Sequence, residues 1–349
     1  MIEFKLPSLG ADMDEGKLLQ WKVKPGDKVK RGDLVAVVET PKAAVDIEIW
    51  QDGVVHELIT QPGTTIPVGM VMARLLESGE SAPAAAPAPE RRPASPAARK
   101  RARELDLDID KLAGTGPHGA VTVEDVDKAA KPAAPVDRNA EMRKAIAAAM
   151  SRSKREIPHY YLSETVSLER AAAWLEAENA RRPLPERMLM AVLYLKAVAL
   201  ACKAYPDMNG HYVDNAFRPA SSVHVGVAIS LRQGGLIAPA IHEVDKLPLP
   251  ELMKQLADLV KRARAGSLRS SEMSDPTITV TNLGEGGVQT VFGIIYPPQV
   301  ALVGFGSVSR APAPTVVASL AADHRVSDGH RGALFLAEIA RLLQEPETL

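Results

Sequence analysis

The stretch that decides the fold of the N-terminal part is a segment repeated on either side of a lysine. Residues 16–35 read GKLLQWKVKPGDKVKRGDLV, and residues 53–72 read GVVHELITQPGTTIPVGMVM. Glycines and Pro-Gly pairs recur at matching places, and apolar and polar residues alternate between them. This pattern is typical of short, half-buried strands separated by tight turns. Two copies of one small β unit predict a quasi-symmetric β-sandwich or flattened barrel.

The lysine lies in the connection between the two copies. Residues 39–44 read ETPKAA, which predicts a hairpin tip that presents the side chain of Lys42 to water. A lysine presented in this way suits covalent attachment of a chemical group. The alternative is an exposed turn lysine with no role, and the repeat around Lys42 disfavours it.

Residues 1–77 resemble a lipoyl domain, the swinging carrier of 2-oxo acid dehydrogenase complexes. The resemblance implies lipoate attached covalently to Lys42. Pro41 stands where the family motif Glu-Thr-Asp-Lys-Ala has aspartate, and the fixed φ of proline suits the second position of a type I turn. Biotin carriers share this fold but usually flank the lysine with methionines, so Ala43 favours lipoate. Whether Pro41 permits full lipoylation stays open.

Length and composition limit the classes of protein. The 349 residues predict two or three folded units. A formal net charge of −1 and the lack of a long apolar run predict binding to neither nucleic acid nor a membrane. The single Cys202 excludes a disulfide framework and fits a reducing cytosol. Met1 is followed at once by the strand-like IEFKL, which leaves no room for a signal peptide. We therefore expect a cytoplasmic protein, and we predict no metal site.

Two segments rich in alanine and proline divide the chain. The first linker covers 78–98 and reads SAPAAAPAPERRPASPAA over most of its length. About 18 such residues would span about 55 Å in the extended polyproline form, far enough for a tethered domain to visit separate sites. A shorter linker covers 131–138. We predict a carrier domain over 1–77, a small domain over 99–130 and an α/β domain over 139–349.

The small domain reads as a basic helix, a glycine-rich loop and a second helix. Thr122 and Asp125 have the spacing of a capping box at the start of the second helix. The segment resembles the peripheral subunit-binding domain, which implies docking of the decarboxylase or the dihydrolipoamide dehydrogenase component through Arg99 and Lys100. Ala120 stands where the family pattern has arginine, so which component binds stays open. For the basic cluster alone, the alternative is a solvated helix face.

A histidine motif lies near the C-terminus, where residues 322–329 read ADHRVSDG. The motif follows an apolar strand and precedes a helical pattern, and histidine is the side chain best suited to general-base work near neutral pH. A lone histidine is more often structural. The whole string, however, resembles the active-site motif of dihydrolipoamide acyltransferases, whose catalytic domain shares the fold of chloramphenicol acetyltransferase. The resemblance implies His324 as general base, Thr281 as donor to the oxyanion and Asp328 as the residue that orients the loop.

Helical patterns alternate with strand-like runs through the rest of this domain, which predicts a mixed α/β fold. The helical patterns cover 142–155, 168–180, 187–204, 249–264 and 332–343. The strand-like runs cover 160–166, 223–230, 278–281, 299–304 and 315–321. Two other histidines and the cysteine (His159, His330 and Cys202) are interpreted as structural or peripheral.

The resemblance also implies a reaction and an assembly. The reaction is direct transfer of an acyl group between the lipoyl arm and coenzyme A, with no protein nucleophile. Residues 281–284, TNLG, resemble acetyl- and branched-chain enzymes more than succinyl ones. Acetyl from a pyruvate or acetoin system is the first choice, and a branched-chain acyl group is the second. A non-catalytic scaffold is the alternative from another class. Relatives form trimers with active sites between subunits, so a homotrimer is expected, and a core of 24 or 60 subunits stays open.

Overall fold

The computed structural model describes most of the chain, namely residues 1–9, 15–40, 44–77, 94–105, 107, 109, 112, 114–130, 138–231, 235–284 and 287–349. It divides into two compact units. One unit comprises 1–80 and 138–349, and the other comprises 81–137. Among the helices of the described part, none is both long and apolar enough to cross a membrane.

The N-terminal domain is a sandwich of two sheets. Its strands are β1 (Ile2–Lys5), β2 (Glu15–Trp21), β3 (Lys28–Val29), β4 (Leu34–Glu39), β5 (Ala44–Glu48), β6 (Gly53–Leu58), β7 (Thr65–Pro67) and β8 (Val71–Leu76). The order is β1-β8-β6-β3 in one sheet and β5-β4-β2-β7 in the other. Exchanging β1 with β5, β8 with β4, β6 with β2 and β3 with β7 converts one order into the other. The domain therefore has the quasi-symmetry that the repeat predicts.

Equivalent turns in the two halves use equivalent glycines. Gly26 and Gly63 have φ of 95° and 92°, and Gly32 and Gly69 have φ of 93° and 85°. Only glycine adopts such backbone angles without strain. The apolar residues between the turns alternate and point inward, forming a core that includes Leu18, Val38, Ile47, Leu75 and Met72.

The small domain is built from α1 (Pro96–Glu104) and α2 (Val123–Ala130). Its few buried apolar side chains are Ala98, Ala102, Val121 and Val126. Such a small core needs additional polar stabilisation.

Asp125 supplies much of that polar stabilisation. It accepts hydrogen bonds from the backbone N–H and hydroxyl groups of Thr115 and Thr122, at 2.7–2.9 Å. The Asp125 N–H in turn donates to the Thr122 hydroxyl at 3.3 Å. The predicted capping box is therefore confirmed. These bonds, above all that from the Thr115 N–H, hold the pKa of Asp125 far below its ordinary value.

The C-terminal domain combines helices with a mixed sheet. The helices are α3 (Arg138–Glu156), α4 (Glu169–Ala180), α5 (Met190–Ala204), α6 (Leu249–Ala265), α7 (Ser270–Ser274) and α8 (Gly329–Gln344). The strands are β9 (His159–Ser167), β10 (Gly210–Val213), β11 (Ala216–Pro219), β12 (Val225–Val227), β13 (Ile229–Ser230), β14 (Leu236–Ile237), β15 (Ala240–Ile241), β16 (Ser267–Arg269), β17 (Ile278–Asn282), β18 (Ala301–Phe305) and β19 (Thr315–Asp323).

Six of these strands form the central sheet, in the order β15-β12-β17-β18-β19-β9. All residues of β18 are buried, and α5 is buried over most of its surface. Such central elements read as continuous apolar runs because both faces are covered. All five helical patterns and all five strand-like runs correspond to observed elements. The predicted run 223–230 is divided into β12 and β13, which pair with different partners.

Candidate active site

The loop after β19 is fixed by an ion pair that spans the motif histidine. The Asp323 carboxylate is completely buried and accepts hydrogen bonds from Arg325, at 2.9 and 3.1 Å from Nε and 2.6 Å from Nη2. The Arg325 guanidinium also lies 3.9 Å from the centre of the Tyr212 ring. Because Asp323 and Arg325 flank His324, their pairing constrains the backbone on both sides of the imidazole.

His324 itself is exposed to solvent. Its backbone N–H donates to the Pro158 carbonyl at 2.9 Å, which fastens the loop to the start of β9. The edge-on ring of Tyr160 lies 5.4 Å from the imidazole, centre to centre. The Tyr160 hydroxyl is in turn hydrogen-bonded to Ser327 at 2.8 Å. The imidazole is thus supported on one side and accessible on another, as a group that exchanges protons with a substrate must be.

Asp328 caps the helix that follows the loop. Its carboxylate accepts a hydrogen bond from the Arg331 N–H at 2.9 Å, as is usual for the N-cap position of a helix such as α8. The hydrogen bond from the Arg331 N–H lowers the pKa of Asp328, and a hydrogen bond from the His330 N–H lowers it further. Asp328 therefore fixes the start of α8 while remaining ionised.

Thr281 lies on a different part of the sheet from His324. Thr281 pairs with Gly304, which pairs with Ser319 on the opposite side, and His324 follows five residues after Ser319. Standard strand dimensions place the Cα atoms of the two residues about 16 Å apart along the strands and about 10 Å across them, or about 19 Å in all. One acyl carbon must lie about 3 Å from both the attacking atom and the oxyanion donor. The structure therefore does not bring Thr281 and His324 together within one chain.

The other histidine of this region is fully engaged in structure. The His159 Nδ1–H donates to the Ile157 carbonyl at 2.8 Å, while Nε2 accepts from the Ile295 N–H at 3.2 Å. Both bonds require the neutral tautomer, and burial also lowers the pKa of His159. Cys202 is buried in the core, and burial strongly raises the pKa of its thiol. Neither side chain is available for chemistry.

Sequence reasoning missed the residues that support the imidazole. Tyr160 and Tyr212 come from strands far from the motif, and no local pattern distinguishes them from ordinary strand tyrosines. The Asp323–Arg325 pair lies inside the motif, so its spacing was visible. Its function as a loop clamp depends on the burial of Asp323, which only the packed sheet reveals.

Lys42 lies outside the described residues, but the strands on both sides of it are described. Glu39 pairs with Ala44 where β4 joins β5, and Thr40 is almost fully buried. The strands on both sides of Lys42 therefore pair directly with each other. This pairing fits a covalently attached group at Lys42, because the flanking strands are held by each other rather than by residues 41–43.

The basic residues predicted to dock a partner lie on α1. Arg99 and Lys100 are both exposed, next to Ala98, which is buried in the small core. Arg101 instead forms an ion pair with Asp127 of α2 at 2.7 Å. The helix thus directs one basic side chain to its partner helix and leaves Arg99 and Lys100 facing solvent.

The fold and the site define a multidomain group-transfer protein. It combines a carrier sandwich, a small helical domain and an α/β domain whose histidine loop is held by an ion pair. Three family models match the chain in the same order. They are "Biotin-requiring enzyme" over residues 2–75, "e3 binding domain" over 92–127 and "2-oxoacid dehydrogenases acyltransferase (catalytic domain)" over 134–349.

Curated proteins and solved structures agree with these models. The chain is 30% identical to the dihydrolipoyllysine-residue acetyltransferase component of the pyruvate dehydrogenase complex of Rickettsia bellii (strain RML369-C), covering 99% of this chain and 98% of that protein. It is 28% identical to the corresponding component of the acetoin cleaving system of Bacillus subtilis (strain 168), covering 100% and 99%. The solved cubic core of a pyruvate dehydrogenase multienzyme complex superimposes with a TM-score of 0.55 at 26% identity, over 62% of this chain and 98% of that one.

The chain belongs to the family of 2-oxoacid dehydrogenase acyltransferases. It is an acyltransferase enzyme, and the predicted combination of a lipoyl domain, a small subunit-binding domain and an α/β catalytic domain is confirmed. The group carried by the first domain is covalently bound lipoate, and the acyl acceptor is coenzyme A. The e3 binding domain is the module that binds dihydrolipoamide dehydrogenase.

Proposed function

We propose that the chain is a dihydrolipoyllysine-residue acetyltransferase that forms the core of a pyruvate or acetoin dehydrogenase complex. The observation that carries the proposal is the exposed His324 imidazole, held by the Asp323–Arg325 pair and the edge of Tyr160, on a chain that also has its own carrier domain. The names of the two relatives favour acetyl as the acyl group. A branched-chain acyl group is the second choice.

The proposed mechanism is direct transfer between two thiols. The lipoyl group, attached to Lys42, supplies the acyl group as a thioester. His324 accepts the proton of the coenzyme A thiol as that sulfur attacks the carbonyl carbon, and the Thr281 hydroxyl donates a hydrogen bond to the developing oxyanion. His324 then returns the proton to the departing thiolate. Asp328 contributes by holding the start of α8, and hence the loop, in place.

The proposed active unit is a homotrimer with its sites between subunits. The separation of Thr281 and His324 supports this, since only another copy can bring a Thr281 close to a given His324. Several exposed apolar side chains follow β17 in the sequence, namely Leu283, Val288, Phe292 and Val308, and such side chains suit an interface between copies. The solved cubic core supports further assembly of trimers into a larger core.

Further parts of the proposal concern organisation and partners. We divide the chain into carrier domain (1–77), linker (78–98), subunit-binding domain (99–130), linker (131–138) and acyltransferase domain (139–349). The decarboxylase component is proposed as a second partner, with Arg99 and Lys100 as docking charges. A cytoplasmic location is proposed because the single cysteine is unpaired and buried, as in a reducing compartment.

The proposal is tested by measuring acyl transfer to free dihydrolipoamide from acetyl-, isobutyryl- and succinyl-coenzyme A side by side. We expect preference for acetyl, and loss of about 10²–10⁴ in rate in His324→Ala. His330→Ala is the matched control, because His330 is exposed close to His324 but has no assigned role. Full activity in a folded His324→Ala protein would refute the mechanism. Inactivity of the folded wild-type trimer with every donor would favour the non-catalytic scaffold.

A further inference from the structure

The carrier domain and the acyltransferase domain share a β-sheet. Strand β5 of the carrier pairs in parallel with β16 of the acyltransferase domain, through Ala44–Ser267, Val45–Leu268 and Asp46–Arg269. The pairing extends the carrier sheet to the order β16-β5-β4-β2-β7. Strand β5 is otherwise the edge strand of that sheet, and an edge strand presents unpaired N–H and C=O groups that a second strand can satisfy.

Side chains beyond the paired strands reinforce the contact. The Ser271 hydroxyl donates to Glu48 Oε2 at 2.5 Å, and the Glu48 N–H donates to the Ser270 hydroxyl at 3.3 Å. The Arg269 guanidinium lies 4.0 Å from Glu48 Oε1. Three consecutive residues of the acyltransferase domain therefore contact Glu48 of the carrier, Arg269 and Ser271 at its carboxylate and Ser270 at its backbone N–H.

The contact also joins the two hydrophobic cores. Leu268 is completely buried in the core of the acyltransferase domain, and Val45 is completely buried in the core of the carrier. Met273 of α7 packs against both cores, and its flexible thioether side chain suits such a junction. Hydrogen bonds, an ion pair and apolar contacts thus all connect residues 44–48 of the carrier to residues 267–273 of the acyltransferase domain.

We propose that residues 267–273 form a docking site for the chain's own carrier domain, in which edge-strand pairing holds the carrier between transfer events. Strand β5 begins at Ala44, two residues after Lys42. Docking therefore restricts the movement of the chain next to the point where the lipoyl arm is attached. The carrier must leave this site to visit a separate component, so undocking is a step of the catalytic cycle.

The docked state is tested by cysteine cross-linking in the full-length protein. Neighbouring strands lie about 4.8 Å apart, within the range that a disulfide bridges, so Ala44→Cys with Ser267→Cys should cross-link within one chain. Thr65→Cys with Ser267→Cys is the matched control, because β7 is the opposite edge of the carrier sheet. The native Cys202 is buried and does not interfere. We expect the first pair to cross-link at least about tenfold faster than the control, because docking raises its effective concentration.

Two outcomes of this experiment would overturn the proposal. Equal rates for the two pairs would show a carrier that moves freely on its linker. Covalent dimers in place of internally linked monomers would assign the site to a carrier from another copy.

A second set of variants breaks the side-chain contacts. Glu48→Lys places like charge against Arg269 and removes the acceptor for Ser271, while Ser271→Ala removes only one hydroxyl. Glu57→Lys makes the same charge change in the other carrier sheet, where Glu57 forms an exposed ion pair with Arg74 at 3.3 Å. Glu48→Lys should slow the Ala44–Ser267 cross-link by about tenfold, Ser271→Ala by less, and Glu57→Lys not at all. An unchanged cross-linking rate in Glu48→Lys would refute the docking site.

The functional consequence is measured on the cross-linked protein. Transfer to free dihydrolipoamide should be unchanged, because no proposed catalytic residue is touched, whereas turnover that needs the attached carrier should fall at least about tenfold and recover on reduction. Normal carrier-dependent turnover in the cross-linked protein would exclude undocking as a required step. The free-substrate assay also separates this result from a failure of the proposed acyltransferase activity.

Discussion

Mixing two inactive variants should restore activity, because His324 and Thr281 lie about 19 Å apart within one chain. We consider His324→Ala and Thr281→Ala chains assembled together at equal amounts. Each variant alone should retain at most about 1% of wild-type activity, from typical losses of 10²–10⁴ for a general base and 10²–10³ for an oxyanion donor. Co-expression with two different affinity tags shows that mixed trimers form, and activity is measured on the whole, unfractionated mixture.

The size of the recovery follows from the symmetry of the assembly. In a cyclic trimer, each site takes His324 from one copy and Thr281 from its neighbour. With random assembly, about one site in four combines an intact His324 with an intact Thr281, so the mixture should reach about 25% of wild-type activity. If each site lay within one chain, the mixture would only average its parents and stay at or below about 1%.

The control for this experiment mixes wild type with the double variant, His324→Ala plus Thr281→Ala. Shared sites again predict about one quarter of full activity, whereas sites within one chain predict about one half. A mixture of the single variants that shows no gain over its parents, from trimers shown to contain both chains, would refute the shared site.

Three further predictions concern other parts of the chain. Lys42→Arg should abolish lipoylation, seen by mass spectrometry, and carrier-dependent turnover, while transfer to free dihydrolipoamide stays within about twofold of wild type. The side chains of His242 and Asp275 are hydrogen-bonded at 3.1 Å. This hydrogen bond raises the pKa of His242 above 6.5, and it lowers the pKa of Asp275 below 3.8 against the opposing effect of burial. The pair should therefore stabilise the protein most between pH 3.8 and 6.5. That contribution falls as pH rises through the raised pKa of His242 or drops through the lowered pKa of Asp275, so the melting temperatures of wild type and Asp275→Asn should differ more at about pH 5.5 than at about pH 8.5; an equal difference would contradict this. Arg99→Ala with Lys100→Ala should weaken binding of dihydrolipoamide dehydrogenase by about tenfold or more in low salt and less in high salt, and calorimetry showing unchanged affinity would exclude these docking charges.

Much of the fold could be predicted because its signals are local. The turn glycines of the carrier are needed at fixed positions for their positive φ, and the helices of the acyltransferase domain follow from apolar periodicity. Elements that were not predicted are short or lack periodicity. Strand β16 has only three residues, and helix α7 has five. These are too few residues for the apolar periodicity of a strand or of a helix to be visible in the sequence. The hairpin of β10 and β11 was missed for the same reason.

The sequence by itself determined the three folded modules, the place of Lys42 between the two repeats and the histidine motif. Turn residues and apolar periodicity can be recognised because they depend only on residues close together in the sequence. The tertiary structure decided which distant residues meet. Tyr160 supports His324 because β9 pairs with β19, Thr281 is separated from His324 by the register of three strands, and Ala44 pairs with a strand more than 200 residues away. Strand register and edge pairing depend on how whole surfaces pack, and no local pattern encodes that choice.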